Sequence, residues 1–336
     1  MKKFLAMLLC LMMVVSLCAC GGENGGLNDA LSGTEDADVI DGSEGLAMGT
    51  GGDSGTYYAV GGVLCKVVGD KTGLNLTAVA TGGSADNLQN MGLVYQLATV
   101  QSDVMTYAYE GTNTFAESGK IENFRVLCAL YAETVQIVTL DPNIKSVADL
   151  KGKSVCVGDQ GSGTYYNTID VLAAYGMTID DIKPVYQSFG DSTESLQDGK
   201  IDAAFLCAGA PTPAVSTLDS AKNIYLVSID DEHMAKLLDS CPYYASYTIP
   251  AGTYESFQED AQTITVKATL ICSANLSDEC AYNIVSAIFE NKDAITELHA
   301  KGAELDLTFA TDGIAVPFHA GAAQYFAEQG ITVTSK

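Results

Sequence analysis

The chain has 336 residues, of which 47% are hydrophobic and 18% charged, so it is long enough to bury a sizeable core. Its 42 acidic residues against 17 lysines and arginines give a formal net charge of −25 at pH 7. A field of this sign argues against nucleic acid, or an anionic membrane surface, as a binding partner.

The N-terminal segment has the pattern of an export signal. Lys2 and Lys3 precede an apolar run from Phe4 to about Leu17, which is shorter than the roughly 20 residues that span a bilayer. The run ends in Leu-Cys-Ala-Cys-Gly and resembles a bacterial lipobox. We therefore predict a signal peptide over residues 1–19 and a lipid on Cys20, which would anchor the protein to the outer face of the cytoplasmic membrane. The alternative is an ordinary cleaved signal peptide that happens to contain cysteines.

Residues 20–44 are polar, acidic and rich in glycine. Such a segment cannot bury enough apolar surface to offset the entropy of ordering it. The composition predicts a disordered tether between the lipid and the folded part of the chain.

Cysteine usage argues against a metal or redox centre. Seven cysteines follow the tether, most of them inside apolar runs, where cysteine packs as a small core residue. The sequence has no Cys-x-x-Cys pair and no Cys/His cluster, so we predict no metal and no cofactor, while disulfides remain open.

The folded part alternates between strand-like and helix-like segments. Helical spacing covers residues 57–71, 84–95, 147–151, 165–175, 278–291 and 321–329, and a short helix begins at Ser102. Strand-like runs cover residues 74–80, 97–101, 125–131, 134–140, 154–158, 185–189, 201–207, 224–229 and 263–272. This alternation predicts an α/β fold with parallel sheets flanked by helices.

The second half of this pattern loosely repeats the first. We predict two α/β lobes, with residues 45–140 and 253–336 in lobe 1 and residues 141–252 in lobe 2. The chain would cross between them twice, near Leu140 and near Gly252, and the protein is expected to be a monomer.

Two copies of Ser-Gly-Thr-Tyr-Tyr, at Ser54–Tyr58 and Ser162–Tyr166, mark the candidate site. Each follows a short apolar run and precedes a helical segment, a geometry in which free backbone N–H groups and a helix dipole converge on an anion. One such turn is common and would be a weak signal. Two of them indicate that each lobe contributes one side of a shared small-ligand site.

Candidate ligand-binding residues lie at the ends of predicted strands, where ligands of α/β folds bind. Their hydroxyl, amide and backbone donors suit a carboxylate. The alternative for the serines is that they are N-caps, a position that serine favours. The full set is Ser54, Gly55, Thr56, Tyr57, Ser84, Asn87, Gln101, Ser102, Ser162, Gly163, Thr164 and Tyr165.

Arg125 is the only arginine of the chain. It could clamp a ligand carboxylate if it faced the site, but its place at the start of a core strand favours a structural contact. We therefore expect the anion to be held mainly by backbone and hydroxyl groups.

The sequence does not favour an enzyme. Gly52-Asp53-Ser54-Gly55 matches the surroundings of a trypsin-like serine, but all three histidines follow the serine instead of preceding it. A serine hydrolase with another order, using His319 as base, remains an alternative. Neither glycine-rich turn fits a nucleotide-binding motif.

Several longer motifs carry a family resemblance that covers essentially all of the chain after the tether. They include GTGG-x-x-GTYY-x-x-GG (49–62), ATGGSADNL (80–88), VQSDV-x-x-YAY (100–109), VQIV (135–138), KSVADLKGK-x-V-x-VG-x-x-GSGT (145–164), LQDGKIDAAF (196–205), YTIPAGTY (247–254) and VPFHAGAAQYF (316–326). With these motifs the chain resembles the TAXI-class solute receptors of TRAP transporters, which have the type II periplasmic-binding-protein fold.

The resemblance implies capture of a small organic acid or acidic amino acid outside the cytoplasm, for delivery to an ion-driven membrane permease, without ATP or catalysis. A receptor of an ATP-driven importer, which has the same two-lobed fold, is the alternative.

Three positions depart from the pattern of this family. Asp159-Gln160 stands where Ala-Pro is expected, Asp53-Ser54 where a neutral residue is expected, and Tyr165 where the family often has a charge. Two carboxylates near one site would repel a dianion by roughly 4 kcal/mol per close pair. We therefore predict an amino acid such as glutamate or glutamine over 2-oxoglutarate. The alternative is that both aspartates complement helix dipoles from outside the cleft.

Overall fold

The computed structural model describes residues 39–336. The predicted signal peptide, Cys20 and most of the predicted tether lie outside these residues. Within them, Ile40 forms a bridge with Leu276, and its amide donates to the Asn275 carbonyl at 2.9 Å. The last residues before the first strand therefore pack on the folded body. None of the helices in residues 39–336 has both the length and the apolar character that a membrane crossing requires.

The strands, in chain order, are β1 (Leu46–Gly49), β2 (Leu76–Val79), β3 (Leu97–Gln101), β4 (Phe124–Thr139), β5 (Ser154–Cys156), β6 (Lys183–Val185), β7 (Ala203–Ala208), β8 (Tyr225–Leu226), β9 (Ala245–Ile249) and β10 (Ala261–Ser273). The α-helices are α1 (Thr56–Thr72), α2 (Ser84–Gln89), α3 (Ser102–Glu110), α4 (Gly163–Ala174), α5 (Phe189–Gln197), α6 (Pro213–Ala221), α7 (Asp231–Ser240), α8 (Asp278–Glu290), α9 (Lys292–Leu298), α10 (Leu307–Thr311) and α11 (Ala320–Glu328).

One strand order occurs twice in the sheet. In the first half it is β2-β1-β3-β10-β4, and in the second half it is β6-β5-β7-β4-β8. In each half four strands run in one direction, and the inserted strand, β10 or β4, runs against them. The prediction of a type II periplasmic-binding-protein fold, with mainly parallel sheets and two crossovers, is confirmed.

Strands β4 and β10 run through both halves of the sheet. Thr134 of β4 pairs with Thr265 of β10 on one side and with Ala208 of β7 on the other, and β4 continues along β7 to Thr139. The prediction of two separate strands at 125–131 and 134–140 is wrong, because β4 is continuous through the polar residue Glu133 that interrupts the apolar pattern. The lobe boundaries near Leu140 and Gly252 stay a prediction.

The buried apolar side chains form three clusters. The largest lies in the first half of the sheet and combines β1, β3 and the start of β4 with β10, α1, α8 and α11. The other two contain side chains of β7 that alternate between them, such as Phe205 in one and Leu206 in the other. Because successive side chains of a strand point to opposite faces, these clusters cover the two faces of the second half.

The helix predicted over residues 84–95 is shorter in the structure, where α2 ends at Gln89. Gly92 has a φ of +77°, a backbone conformation that favours glycine and reverses the chain. Leu93 is consequently 81% exposed, while Met91 and Tyr95 stay buried on either side of the turn. The helical spacing of the apolar residues was therefore misleading at this point.

Two adjacent glycines of α1 offer a matched test of how tightly this helix packs on β1. A Cβ on Gly61 would lie 2.6 Å from Cγ2 of Thr50, whereas a Cβ on Gly62 would meet nothing within 4 Å. We expect Gly61→Ala to lower the free energy of unfolding by about 1–3 kcal/mol, through overpacking. Gly62→Ala should raise it by about 0.5–1 kcal/mol, through helix propensity. Urea unfolding measures both, and equal effects of the two substitutions would contradict the packing described here.

Candidate functional site

A cleft lies at the carboxyl ends of β1, β3, β5 and β7, with about 600 Å³ of space that includes the open solvent at its mouth. Both halves of the sheet contribute to it. Its lining residues are Gly51, Gly52, Asp53, Ser54, Gly55, Thr56, Tyr57, Gly82, Gly83, Ser84, Gln101, Glu133, Asp159, Ser162, Gly163, Thr164, Ser188, Phe189, Gly190, Cys207 and Ala208.

The first wall of the cleft, residues 51–57, is the turn between β1 and α1. Gly55 is the N-cap of α1, and no side chain caps the helix, so the first N–H groups of α1 have no side-chain acceptor. Thr56 donates its hydroxyl to the Gly209 carbonyl at 3.0 Å, and Ser54 accepts the Ala214 amide on its carbonyl at 3.2 Å. The first wall is therefore tied directly to the second half of the sheet.

The second wall, residues 158–164, is the turn between β5 and α4. Gly158 has a φ of +83°, and a Cβ there would lie 2.6 Å from Ser162 Oγ, so the turn requires glycine at this position. Ser162 is the N-cap of α4, yet its side chain does not cap the helix. Its hydroxyl is buried and has no partner among the described residues, although Ser162 lines the cleft.

The structure brings nine of the twelve predicted ligand-binding residues together in the lining of the cleft. Their role in binding stays a prediction. The nine are Ser54, Gly55, Thr56, Tyr57, Ser84, Gln101, Ser162, Gly163 and Thr164.

The other three predicted residues are not part of the lining, because their side chains are engaged elsewhere. Asn87 donates its amide to the carbonyls of Thr50 and Thr99, at 2.6 and 2.9 Å. Ser102 accepts the Lys267 amide at 3.1 Å. Tyr165 packs against Tyr166 and Tyr186, with ring centroids 5.2 and 5.8 Å away.

The alternative that the serines are N-caps is wrong for Ser54, Ser84 and Ser102, while Ser162 is the N-cap residue of α4 but does not cap it through its side chain. Neither α1 nor α3 has a side-chain cap, and the N-cap residue of α2 is Gly83. Ser54 donates to Asp53 at 3.0 Å, and Ser84 accepts the Gln101 amide at 3.0 Å. Ser54 and Ser84 are therefore used for turn and strand contacts, and the Ser162 hydroxyl has no hydrogen-bond partner within residues 39–336.

Three carboxyl groups line the cleft, and none of its lining residues is lysine, arginine or histidine. Asp53 is exposed and Asp159 is half-buried. Burial raises the pKa of Asp159 above its usual range, and the nearby Asp191 carboxylate raises it further by a smaller amount. Both aspartates thus belong to the lining of the cleft, and the prediction that their carboxylates face a bound solute stays a prediction.

The third carboxyl group belongs to Glu133, which sequence reasoning missed. It lies in the middle of β4, is 1% exposed, and accepts a hydrogen bond from the Tyr57 hydroxyl. Burial raises its pKa to about 8, against the smaller opposing effect of the Tyr57 hydrogen bond. The sequence signal for Glu133 is a lone acidic residue between two apolar runs, a pattern that also fits the gap between two strands.

A buried polar network beside the cleft joins the two halves of the protein. The Gln101 amide donates to Asn167 at 3.0 Å, and Asn167 donates to Asp103 at 3.1 Å and to the Tyr244 hydroxyl at 2.9 Å. Burial raises the pKa of Asp103 to about 6, opposed chiefly by a hydrogen bond from the Val104 amide. Gln101 is consequently held in place at the cleft by residues of α3 and α4.

Two further predictions concern Arg125 and His319. Arg125 donates to the carbonyls of Glu122, Phe124 and Lys336 and is not part of the cleft lining, which confirms a structural contact. Both ring nitrogens of His319 are engaged, one with the Leu276 carbonyl at 2.7 Å and one with the Gly321 amide at 3.2 Å. The geometry therefore gives no support to a hydrolase with His319 as base.

The seven described cysteines are all buried and unpaired.

The repeated strand order and the cleft between the two glycine-rich turns define a protein of the type II periplasmic-binding-protein class. The NMT1-like family matches residues 48–330, so the chain belongs to the NMT1-like family.

Solved structures are similar to this chain at low sequence identity, which concerns the fold alone. A protein from Bordetella bronchiseptica RB50 is 16% identical, with a TM-score of 0.50 over 84% of this chain and 88% of that chain. The alkanesulfonate-binding protein SsuA from Xanthomonas axonopodis pv. citri, bound to MOPS, is 15% identical, with a TM-score of 0.47 over 84% and 90%. The GluR0 ligand-binding core from Nostoc punctiforme, in complex with L-glutamate, is 14% identical, with a TM-score of 0.47 over 77% and 100%.

Glu133→Gln replaces the buried carboxyl with a neutral amide of similar shape and tests its raised pKa. Between the ordinary value of 4.5 and about 8, the carboxyl is ionised in the unfolded chain but protonated in the folded protein. The stability of the wild-type protein therefore falls as the pH rises through this window. We expect the free energy of unfolding of the variant, relative to wild type, to rise by about 1 kcal/mol per pH unit across it. Urea unfolding of ligand-free protein measures this, and a difference that is constant with pH would refute the raised pKa.

Proposed function

We propose that the protein is an extracytoplasmic receptor of the TAXI type, which captures a small solute in the cleft and delivers it to an ion-driven TRAP permease. The observation that carries the proposal is the pairing of two glycine-rich turns across one cleft, each at the uncapped N-terminus of a long helix. Free N–H groups and helix dipoles on both walls suit a ligand carboxylate. A genomic neighbourhood with a large permease gene and no ATPase gene would favour this over an ATP-driven importer.

Capture by cleft closure is part of the proposal. Each wall already lies close to the opposite half of the protein, because a Cβ on Gly190 of α5 would lie 2.9 Å from Ser54 Oγ and one on Gly163 would overlap the Gln101 side chain of β3. A solute that contacts both walls binds best when the walls are together, so it favours the closed arrangement. The glycines at these contacts leave room for that approach.

The charges of the cleft favour a solute with an ammonium group as well as a carboxylate. Asp53 and Asp159 line the cleft, and no basic side chain of the lining offsets them. Unit charges about 4 Å apart interact by roughly 4 kcal/mol near a protein surface, so a dianion is disfavoured here. We therefore propose an amino acid such as glutamate or glutamine as the ligand.

Thermal unfolding with added ligand tests this proposal. We expect glutamate or glutamine to raise the Tm, and 2-oxoglutarate to have a smaller effect at the same concentration, because only a bound ligand stabilises the fold by mass action. Asp53→Asn and Asp159→Asn should each weaken this preference modestly, since screening reduces the contribution of exposed charges. Equal or greater stabilisation of the wild-type protein by 2-oxoglutarate would reject an amino-acid ligand.

The predicted lipid anchor gives a separate test on the full-length chain. Cys20→Ser removes the thiol that the lipid would modify, and Cys20 lies outside the described residues. We expect the variant to move from the membrane fraction to the soluble fraction with its ligand affinity unchanged, because one lost anchor removes the attachment without altering the cleft. Fractionation after a salt wash measures this, and a variant that stays on the membrane would show that the lipobox interpretation is wrong.

A further inference from the structure

The buried carboxyl of Glu133 is an unusual group for the wall of a solute-binding cleft. Its residue is 1% exposed, yet it belongs to the lining. Of the described residues, only Tyr57 donates a hydrogen bond to it, and that bond reaches one oxygen, Oε2. The second oxygen, Oε1, has no donor from the described part of the chain. A buried acidic group with an open acceptor and no basic partner in the lining has an incomplete set of partners.

We propose that Glu133, rather than Asp53 or Asp159, pairs with the cationic nitrogen of the bound solute, so that the cleft selects small molecules with an ammonium group. This assignment rests on the proposed function. The proposed function leaves open which residue distinguishes an amino acid from an amine-free carboxylate, and we assign that role to Glu133.

Glu133 is more deeply buried than the two aspartates, and this makes it the stronger partner for a cation of the solute. Water and salt screen the carboxylate of exposed Asp53, and to a lesser extent that of half-buried Asp159, so an ion pair with either contributes little. A charge pair that is largely closed off from water contributes more to discrimination, because a solute without the cation leaves the buried carboxyl protonated and forms no ion pair with it. Glu133 meets this condition.

The opposite end of the solute also has available partners. Ser162 lines the cleft with a buried hydroxyl that has no hydrogen-bond partner among the described residues, and it stands at the uncapped N-terminus of the twelve-residue helix α4. This arrangement offers a hydroxyl and backbone N–H groups to a carboxylate. The cleft can thus hold the two charges of a zwitterion at separate places.

The groups around Glu133 decide the sign of the pH dependence. The titratable groups that face it from the elements packed around it are Tyr57 of α1, Asp103 of α3, Tyr131 of β4 itself, Cys207 of β7, and Lys301 with its ion-pair partner Glu304. Burial holds the pKa values of Tyr57, Tyr131 and Cys207 well above the neutral range, and that of Asp103 is about 6. Of the groups in this set whose pKa is shifted, Glu133 is the one that titrates near pH 8.

Binding of a cation should therefore release a proton from Glu133. The ligand-free carboxyl, with its pKa of about 8, is mostly protonated at pH 7. An ammonium group favours the ionised form and lowers this pKa in the complex. The affinity for glutamine or glutamate should then rise up to about tenfold per pH unit between about pH 6.5 and 8, and level off above. If a protonated Glu133 instead donated to a ligand carboxylate, the affinity would fall with rising pH.

The experiment compares wild type with Glu133→Gln, Asp53→Asn and Asp159→Asn by isothermal titration with glutamine and glutamate across this pH range. We expect Glu133→Gln to lose roughly 100-fold in affinity at pH 8 and to show no pH dependence. The two aspartate variants should lose less than about tenfold and keep the wild-type slope. Thermal unfolding confirms that each variant is folded.

Tyr57→Phe gives a second, independent readout. The Tyr57 hydrogen bond lowers the pKa of Glu133, so its removal should move the pH at which affinity levels off upward while the slope remains. A levelling point that does not move would show that another group titrates, and would overturn the assignment.

The remaining outcomes separate the assignment from the receptor function. Full affinity in Glu133→Gln, an absent or reversed pH slope, or binding of amine-free carboxylates alone, would overturn the role of Glu133 and leave a solute receptor. Failure of the wild-type protein to bind any amino acid or carboxylate of the panel would end both proposals.

Discussion

The antiparallel pairing of β4 with β10 is the constraint on which the rest of the structure depends. The two strands pair from Thr134–Thr265 to Phe124–Ser273, and β4 then continues along β7 while β10 extends along β9. Every other strand of the sheet is attached to one of these two, either directly or through one or two intervening strands. The same pairing carries Glu133 opposite Val266, at the level where the two halves of the sheet meet the cleft.

Much of the fold could be predicted because the responsible signals are local. Helices such as α1 and α8 begin and end within one or two residues of the predicted positions, since an apolar stripe with a period of 3.6 residues depends only on nearby sequence. The same holds for the two Ser-Gly-Thr turns, whose glycines predict the strand–turn–helix arrangement that the structure has at both positions. Nine predicted residues accordingly lie together in the cleft lining.

The features that could not be predicted depend on contacts between distant residues. Glu133 is buried because β10 and β7 flank β4, and Tyr57, which donates to it, is 76 residues away in the sequence. Asn167 contacts Gln101, 66 residues away, and Asn87 is occupied by two backbone carbonyls. No local pattern distinguishes an asparagine that holds the backbone from one that faces a ligand, so residue type alone placed Asn87 in the site.

The glycine content of the cleft also limits how specificity can change during evolution. Seven of the 21 lining residues are glycines, and they offer a solute nothing but backbone groups, which substitution elsewhere leaves in place. Selection for a different solute must therefore act through a few side chains. The charged and aromatic members of this group are Asp53, Tyr57, Glu133, Asp159 and Phe189. Relatives with the same glycine-rich turns can be expected to contact one end of their solutes through the same backbone groups, while differing in the remainder of the molecule that they accept.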